Sequence, residues 1–339
     1  MRNLKRGVVA LLIFCSGIHL SGQEFEWMGG FDSFLDNREY NSIGIPKTIF
    51  GSRVRGELGA SLEETHRFRV GLNWLYEFGD QSGGHLPDVT MYYQYNKDHI
   101  DFRAGAFPRL NLPEYPRTDL LDYPISLLSD TLLYYRPNIE GVYLGYHGDW
   151  GYQNVFIDWT SRQTDEDFER FIFGFSGMVR KGILYLDHHL MMGHFAARAI
   201  PDPLFHLRDN GGADFNLGVN LSERLFLDSL SVSIGGLLSL DRIRGVDDGW
   251  QTPFGATAKF SALYKNLGMS GLFYGGEGHT FLYGDPFYRL KQYGRLDIFF
   301  MPFSNSNVKL KIDLGLHFAA GQLDFSQQIL VSMTIDESR

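Results

Sequence analysis

The stretch IFGSRVRGELGASLEETHRFRVGLNWLYEF, residues 49–78, decides the fold. It reads as two strands joined by the tight turn Glu64-Thr65-His66. In the first strand Phe50, Val54, Leu58, Ala60 and Leu62 share one face, and Arg53, Arg55, Glu57 and Glu63 share the other. In the second, Phe68, Val70, Leu72, Trp74, Tyr76 and Phe78 point one way, and Arg67, Arg69, Asn73 and Glu77 the other. Period-two alternation sustained this long marks a strand with one apolar and one polar face. Nearly all the remaining chain repeats this hairpin. The pattern predicts an all-β fold, a transmembrane up-and-down antiparallel barrel that is apolar outside and polar inside.

The chain has 339 residues, which a single barrel can hold as one domain. Aromatics at 15% and 39 glycines are both high for a soluble enzyme. No apolar run of about 18 residues follows the N-terminus, so no transmembrane helix is expected. Barrel strands escape that test, because their hydropathy signal is much weaker. Arg2, Lys5 and Arg6 followed by the apolar Gly7–Ile18 and the small Ser21-Gly22 read as a secretory signal over residues 1–22. The mature domain is then 23–339. Its removal takes three basic and no acidic residues, so the net charge moves from −9 to −12. Such an acidic chain argues against nucleic acid as partner. Cys15, the single cysteine, lies within the signal; the bulky Phe14 before it argues against a lipoprotein acceptor. Disulfides, thiolate metal sites and cysteine catalysis are thereby excluded from the mature part.

About sixteen strands can be read, with fourteen as the alternative count. Tight connections such as Lys97-Asp98, Lys181-Gly182 and Lys265-Asn266 alternate with mostly longer ones at 37–48, 79–87, 108–137, 161–167, 198–210, 242–251 and 280–286. Outer-membrane barrels place short turns at the periplasmic end and long loops outside. Aromatics on the apolar face gather in two belts. Phe50, Trp74, Tyr76, Trp159, Phe254 and Phe318 lie toward the long loops. Phe68, Tyr93, Tyr95, Tyr146 and Tyr264 lie toward the short turns. Two membrane–water interfaces select that arrangement. Closure is required because lipid cannot satisfy unpaired N–H and C=O groups at a sheet edge.

A ring this wide encloses an aqueous channel unless something plugs it. Arg289, Lys291 and Arg295 are expected on one strand, Lys309 and Lys311 on the next, and Arg53, Arg55 and Arg69 across the closing strands. Together they make a basic wall, partly offset by Glu57, Asp297 and Asp313. Two readings compete: a lumen of mutually satisfied ion pairs, or a positive stripe that steers anions. The longest connection, 108–137, is proline-rich, with a single helical turn expected at Pro124–Asp130. Loops of that length are usually functional. The topology resembles the general diffusion porins in strand number, short periplasmic turns and a longest third external loop. That resemblance implies a third loop folded into the lumen. Glu114, Asp119 and Asp122 would then form the acidic side of a constriction, and Arg289, Lys291, Arg295, Lys309 and Lys311 the basic side. Gln23 as first mature residue, with the aromatic-rich style, resembles outer-membrane barrels of Bacteroidota, which are Gram-negative.

Catalysis is weighed on two pairs, His99 with Asp101 and Asp187 with His189, where a carboxylate could orient a histidine. No serine is placed beside them by motif. Asp187-His188-His189 with His194 suggests a metal only weakly, since adjacent strand residues face opposite ways; neither metal nor cofactor is expected. The external segments Phe281-Leu282-Tyr283 and Pro201–Leu207 read as docking surfaces. The favoured function is an outer-membrane channel passing small, anionic, hydrophilic solutes. A non-conducting partner-binding subunit is the alternative and a barrel-embedded hydrolase ranks last, so the chain is not expected to be an enzyme. Expected partners are outer-membrane lipid, small solutes, the barrel assembly machinery, and a homo-oligomer or larger outer-membrane complex.

Overall fold

The computed structural model describes residues 23–44, 48–82, 84–109, 123–200, 205–222 and 226–336. The expected signal segment 1–22 and the acidic residues Glu114, Asp119 and Asp122 lie outside them. Alternation produces sixteen strands: β1 (Gln23–Glu39), β2 (Thr48–Leu62), β3 (His66–Glu77), β4 (Asp88–Lys97), β5 (Ile100–Pro108), β6 (Asn138–Gly148), β7 (Gly151–Ser161), β8 (Arg170–Lys181), β9 (Leu184–Phe195), β10 (Arg208–Asn220), β11 (Ser229–Ile243), β12 (Phe254–Tyr264), β13 (Leu267–Gly276), β14 (Gln292–Ser304), β15 (Val308–Ala319) and β16 (Gln322–Asp336). Each pairs antiparallel with its sequence neighbours. β1 closes the ring on β16 from Met28 opposite Asp336 to Glu39 opposite Phe325. No sheet edge is left to face lipid, as the bilayer demands.

The faces divide as the sequence predicts. On β15 the outward Ile312 and Leu314 are 43% and 40% exposed, while Asp313 between them is buried in the lumen. Both aromatic belts point outward, with Trp74, Tyr76, Trp159, Phe254 and Phe318 at one end and Phe68, Tyr93, Tyr146 and Tyr264 at the other, all exposed. One tight connection falls among the long loops. Ala320 and Gly321 join β15 to β16 with φ of 51° and 74°, the paired positive angles that a two-residue hairpin of matching twist needs.

The lumen departs from expectation. In place of a wholly polar bore, it contains an apolar core. Tyr143, Phe156, Ile172, Met191, Leu237, Tyr274 and Tyr293 point inward from the wall. Tyr123, Leu127 and Leu128 of the β5–β6 loop and Phe281, Phe287 and Tyr288 of the β13–β14 loop pack among them, all at most 2% exposed. Each fully buried Leu or Phe contributes about 1.5–3 kcal/mol, so the two loops are held by apolar burial above all. They also bond each other through Ser129 N–H to the Tyr283 carbonyl (2.9 Å) and Asp285 N–H to the Ile125 carbonyl (2.8 Å). The approach is so close that a Cβ on Gly284 would sit 2.0 Å from the Ser126 carbonyl oxygen. The Phe281 segment is therefore packed inside the ring and is not an exterior docking surface. Residues 201–204 of the other expected docking segment lie outside the described residues.

Local chemistry explains two further shifts. Pro124 begins a turn, with the N–H groups of Leu127 and Leu128 both donating to its carbonyl, and the helix α1 follows it at Asp130–Tyr135. Pro286 begins a 3-10 turn over Pro286–Arg289, capped by Asp285, whose side chain accepts from Phe287 N–H at 3.0 Å. Proline at the first helical position and a carboxylate cap favour the turn over a strand. β14 consequently starts at Gln292, five residues later than the alternation suggests.

Candidate functional site

The basic wall dissolves into ion pairs. Arg55 meets Asp32 at 3.2 Å, Arg69 meets Glu26 at 2.7 Å, Arg295 meets Asp297 at 2.8 Å, and Lys311 meets Asp313 at 2.5 Å. Arg53 is fully buried and donates to the Tyr134 carbonyl of α1. Lys309 faces the lumen near the short-turn end and is half-buried. Arg289 sits in the 3-10 turn and Lys291 just beyond it, both exposed at the outer mouth and neither on a strand. Arg295 with Asp297 and Lys311 with Asp313 stand two residues apart on a strand and so share a face, while Asp32 and Glu26 reach Arg55 and Arg69 from β1, so each carboxylate cancels the charge beside it. The eight cations do not form one positive stripe.

Only one of the two histidine pairs separates. His99 stands in the β4–β5 turn against Tyr146 (5.8 Å between rings), while Asp101 binds Arg103 at 3.0 Å. His189 and Asp187 remain together in the lumen, 3.7 Å apart. They line a cavity of about 250 Å³ with Tyr185, Asn216, Ser231, Ser233 and Lys259. The plug loops carry two displaced titrations. Burial pushes His279 down to about 4, partly opposed by Asp214, and its Nδ1 meets the Ser239 hydroxyl. Burial pushes Asp285 up to about 6, opposed by the Phe287 N–H.

A different cluster lies on the lipid-facing wall. His194 is the penultimate residue of β9 and Asp209 the second of β10, directly across in register. His194 Nδ1 and Asp209 Oδ1 are 2.8 Å apart, and Arg244 Nε donates to Asp209 Oδ2 at 2.7 Å. Arg242 stands opposite Asp209 on β11. Its buried Nε has no hydrogen-bond partner among the described residues. On the other side Phe171 packs on the imidazole at 5.0 Å and Trp159 on Phe171 at 5.1 Å. The row thus runs at the outer aromatic belt, where acyl chains give way to head groups. Asp209 fixes the imidazole orientation and leaves Nε2 to take a proton; the two guanidinium groups offer a seat for an anion. Among the described residues no three His, Cys, Asp or Glu side chains group as a metal-holding set. Sequence reading passes over this cluster, considering His194 only as a metal ligand. The available signal is His194, a polar side chain on an outward-facing position where the alternation calls for an apolar one; Asp209, Arg242 and Arg244 fall in the expected connections 198–210 and 242–251.

Solved outer-membrane proteins share the architecture. A Rhodopseudomonas blastica porin triple mutant superposes with a TM-score of 0.52 at 11% identity, covering 92% of this chain and 100% of its own. A loop-deletion mutant of OmpT, an outer membrane protein of Vibrio cholerae, gives 0.54 at 9% identity, covering 93% and 100%. At such identities the likeness is one of fold: a porin-like outer-membrane barrel. No curated protein matches the chain. A family model described as Lipid A 3'-O-deacylase-type matches residues 31–336. That description is of an enzyme family, and it corrects the expectation that the chain is not an enzyme. Periodicity reports where a strand sits in a bilayer and is blind to a dyad made of residues fifteen positions apart.

Proposed function

The chain belongs to the Lipid A 3'-O-deacylase-type family, and from that premise we propose that it hydrolyses an acyl ester of a phosphorylated glycolipid in the outer leaflet, using His194 and Asp209. The observation that carries this reading is the His194–Asp209–Arg244 chain of contacts on the lipid-facing wall at head-group height. A substrate anchored in the leaflet reaches that wall without leaving the membrane, whereas the lumen pair Asp187–His189 is shut off from lipid by the sheet itself. In the reaction His194 Nε2 takes a proton from water as the water oxygen attacks the ester carbonyl. The tetrahedral oxyanion collapses, the sugar oxygen leaves, and it takes the proton back from the imidazolium. The products are a free fatty acid and a sugar hydroxyl. Asp209 holds the Nδ1–H tautomer and stabilises the imidazolium, while Arg242 and Arg244 bind a lipid phosphate. General-base catalysis of this kind is worth about 10²–10⁴-fold.

The test is release of fatty acid from lipid A by purified protein in mixed micelles, read by mass spectrometry. His194→Ala and Asp209→Asn should each lower the rate by about 10²-fold or more. Wild-type rates in both would refute the assignment. A second reading, passage of small hydrophilic solutes, is favoured by the polar lumen cavity around Lys259 and Asn216. It requires the two plug loops to move, and the paired state of the wall cations supports no strong anion preference.

A further inference from the structure

Another part of the wall carries a second feature that plays no role in the hydrolysis. Phe273, Gly294, Phe318 and Leu323 are register partners in one outward row across β13, β14, β15 and β16. Phe273, Phe318 and Leu323 are all exposed, and Gly294 leaves a gap in their midst. The result is a groove of about 760 Å³, within the range of ligand-binding clefts. Its upper end is the outer rim, where the lining becomes Lys291, Gln292 and Gln322. Because the β15–β16 connection is only Ala320-Gly321 and the β13–β14 loop turns into the lumen, no long loop stands above this end. Arg289 is exposed two residues before Lys291.

We propose that this groove is a non-hydrolytic docking site for a phosphorylated, hydroxyl-bearing glycolipid of the outer leaflet. An acyl chain lies along the Gly294 gap between Phe273 and Phe318. The phosphate meets Lys291, and the head-group hydroxyls and amides meet Gln292 and Gln322. The charge arrangement selects the occupant: an apolar trough below and one ammonium with two amides above match an anionic amphiphile. The lining contains no imidazole or carboxylate, so bound lipid is held and not cleaved. The groove lies three strands or more from β10, so its lipid is distinct from the one at His194.

The glycine makes the site testable without damaging the fold. A Cβ at Gly294 would find its nearest neighbours, in Phe318, at 3.6 and 3.7 Å, ordinary contact distances, so Gly294→Leu fits the backbone while filling the trough. Binding is measured in a His194→Ala, Arg242→Gln, Arg244→Gln background, where the probe is neither consumed nor held at the first site, so failure of the hydrolysis reading leaves the measurement intact. Protein is reconstituted in nanodiscs of phosphatidylcholine doped with hexa-acylated lipid A, or with phosphatidylglycerol. Co-released lipid is then counted by native mass spectrometry. Heat-modifiable gel migration checks that each variant is folded. The expected result is lipid A retained on the parent, with retention reduced at least tenfold by Gly294→Leu and by Lys291→Glu, and with phosphatidylglycerol retained tenfold less. Equal retention of lipid A by parent and both folded variants would overturn the site. Equal retention of phosphatidylglycerol and lipid A would overturn the glycolipid assignment.

Discussion

Acidification should pull the lumen plug in two directions that nearly cancel, and one substitution on either side should expose the other. His279 ionises at about 4 when docked, against 6.5 when free in water. Asp285 ionises at about 6 when docked, against 3.8. For His279 the docked state refuses a proton that the released loop accepts. Its contribution to docking is fully present above pH 6.5 and is lost as pH falls toward 4. For Asp285 the docked state holds a proton that the released loop gives up. Its contribution is fully present below pH 3.8 and is lost as pH rises through 6. A tenfold difference in proton affinity between the docked and released loop is worth about 1.4 kcal/mol. Between pH 7 and pH 4.5 the histidine therefore favours release by roughly 2–3 kcal/mol and the aspartate favours docking by roughly 2 kcal/mol. A spin label on Leu282→Cys reads loop release, since Cys15 is the single native cysteine, and Leu282 is 37% exposed. Urea midpoints for release should differ little between the two pH values in the labelled parent. Asp285→Asn should shift the midpoint down at pH 4.5, and His279→Asn should shift it up. Both variants behaving like the parent, or a parent plug that opens on acidification by itself, would refute the reasoning.

Other perturbations test separate parts of the structure. Gly284→Val places a Cβ into the Ser126 carbonyl and should loosen the two loops from each other; planar-bilayer recordings should show new open events absent from wild type. Arg109→Met strands the fully buried Asp158 and should cost about 3–5 kcal/mol of stability, measured by urea unfolding in vesicles. Ile312→Lys puts a charge on the lipid face of β15 and should cost about 2–4 kcal/mol if the position is near the bilayer midplane. The same substitution at the lumen-facing Ser332 would not meet lipid at all.

The barrel was legible because one physical rule writes it: lipid on one side, another medium on the other, at every second residue. All sixteen strands follow from that alternation, including β15 and β16 with their long runs of Leu, Ile and Phe outward. What alternation could not reveal is the nature of the inner medium. Tyr143, Phe156, Ile172 and Tyr293 occupy inward positions, but apolar and aromatic residues on an expected polar face look like noise until the loops that bury them are seen. Arg289 and Lys291 escape the strand expected for them because Pro286 redirects the chain into a turn just where the apolar–polar rhythm continues by chance. Arg295 with Asp297 and Lys311 with Asp313 were readable as same-face neighbours, and their pairing undoes a charge wall that the sequence reading took as only partly offset. His194 and Asp209 were hidden because their contact joins two strands separated by a loop, and the sequence carries no spacing that marks it.

The β5–β6 and β13–β14 loops leave the ring eight strands apart, at opposite ends of one diameter. Joined backbone to backbone at Ser129–Tyr283 and Ile125–Asp285, they act as a crossbeam that resists flattening of the cylinder. Cutting either arm removes the beam as surely as cutting both, so shortening the two loops together should soften the ring little more than shortening one.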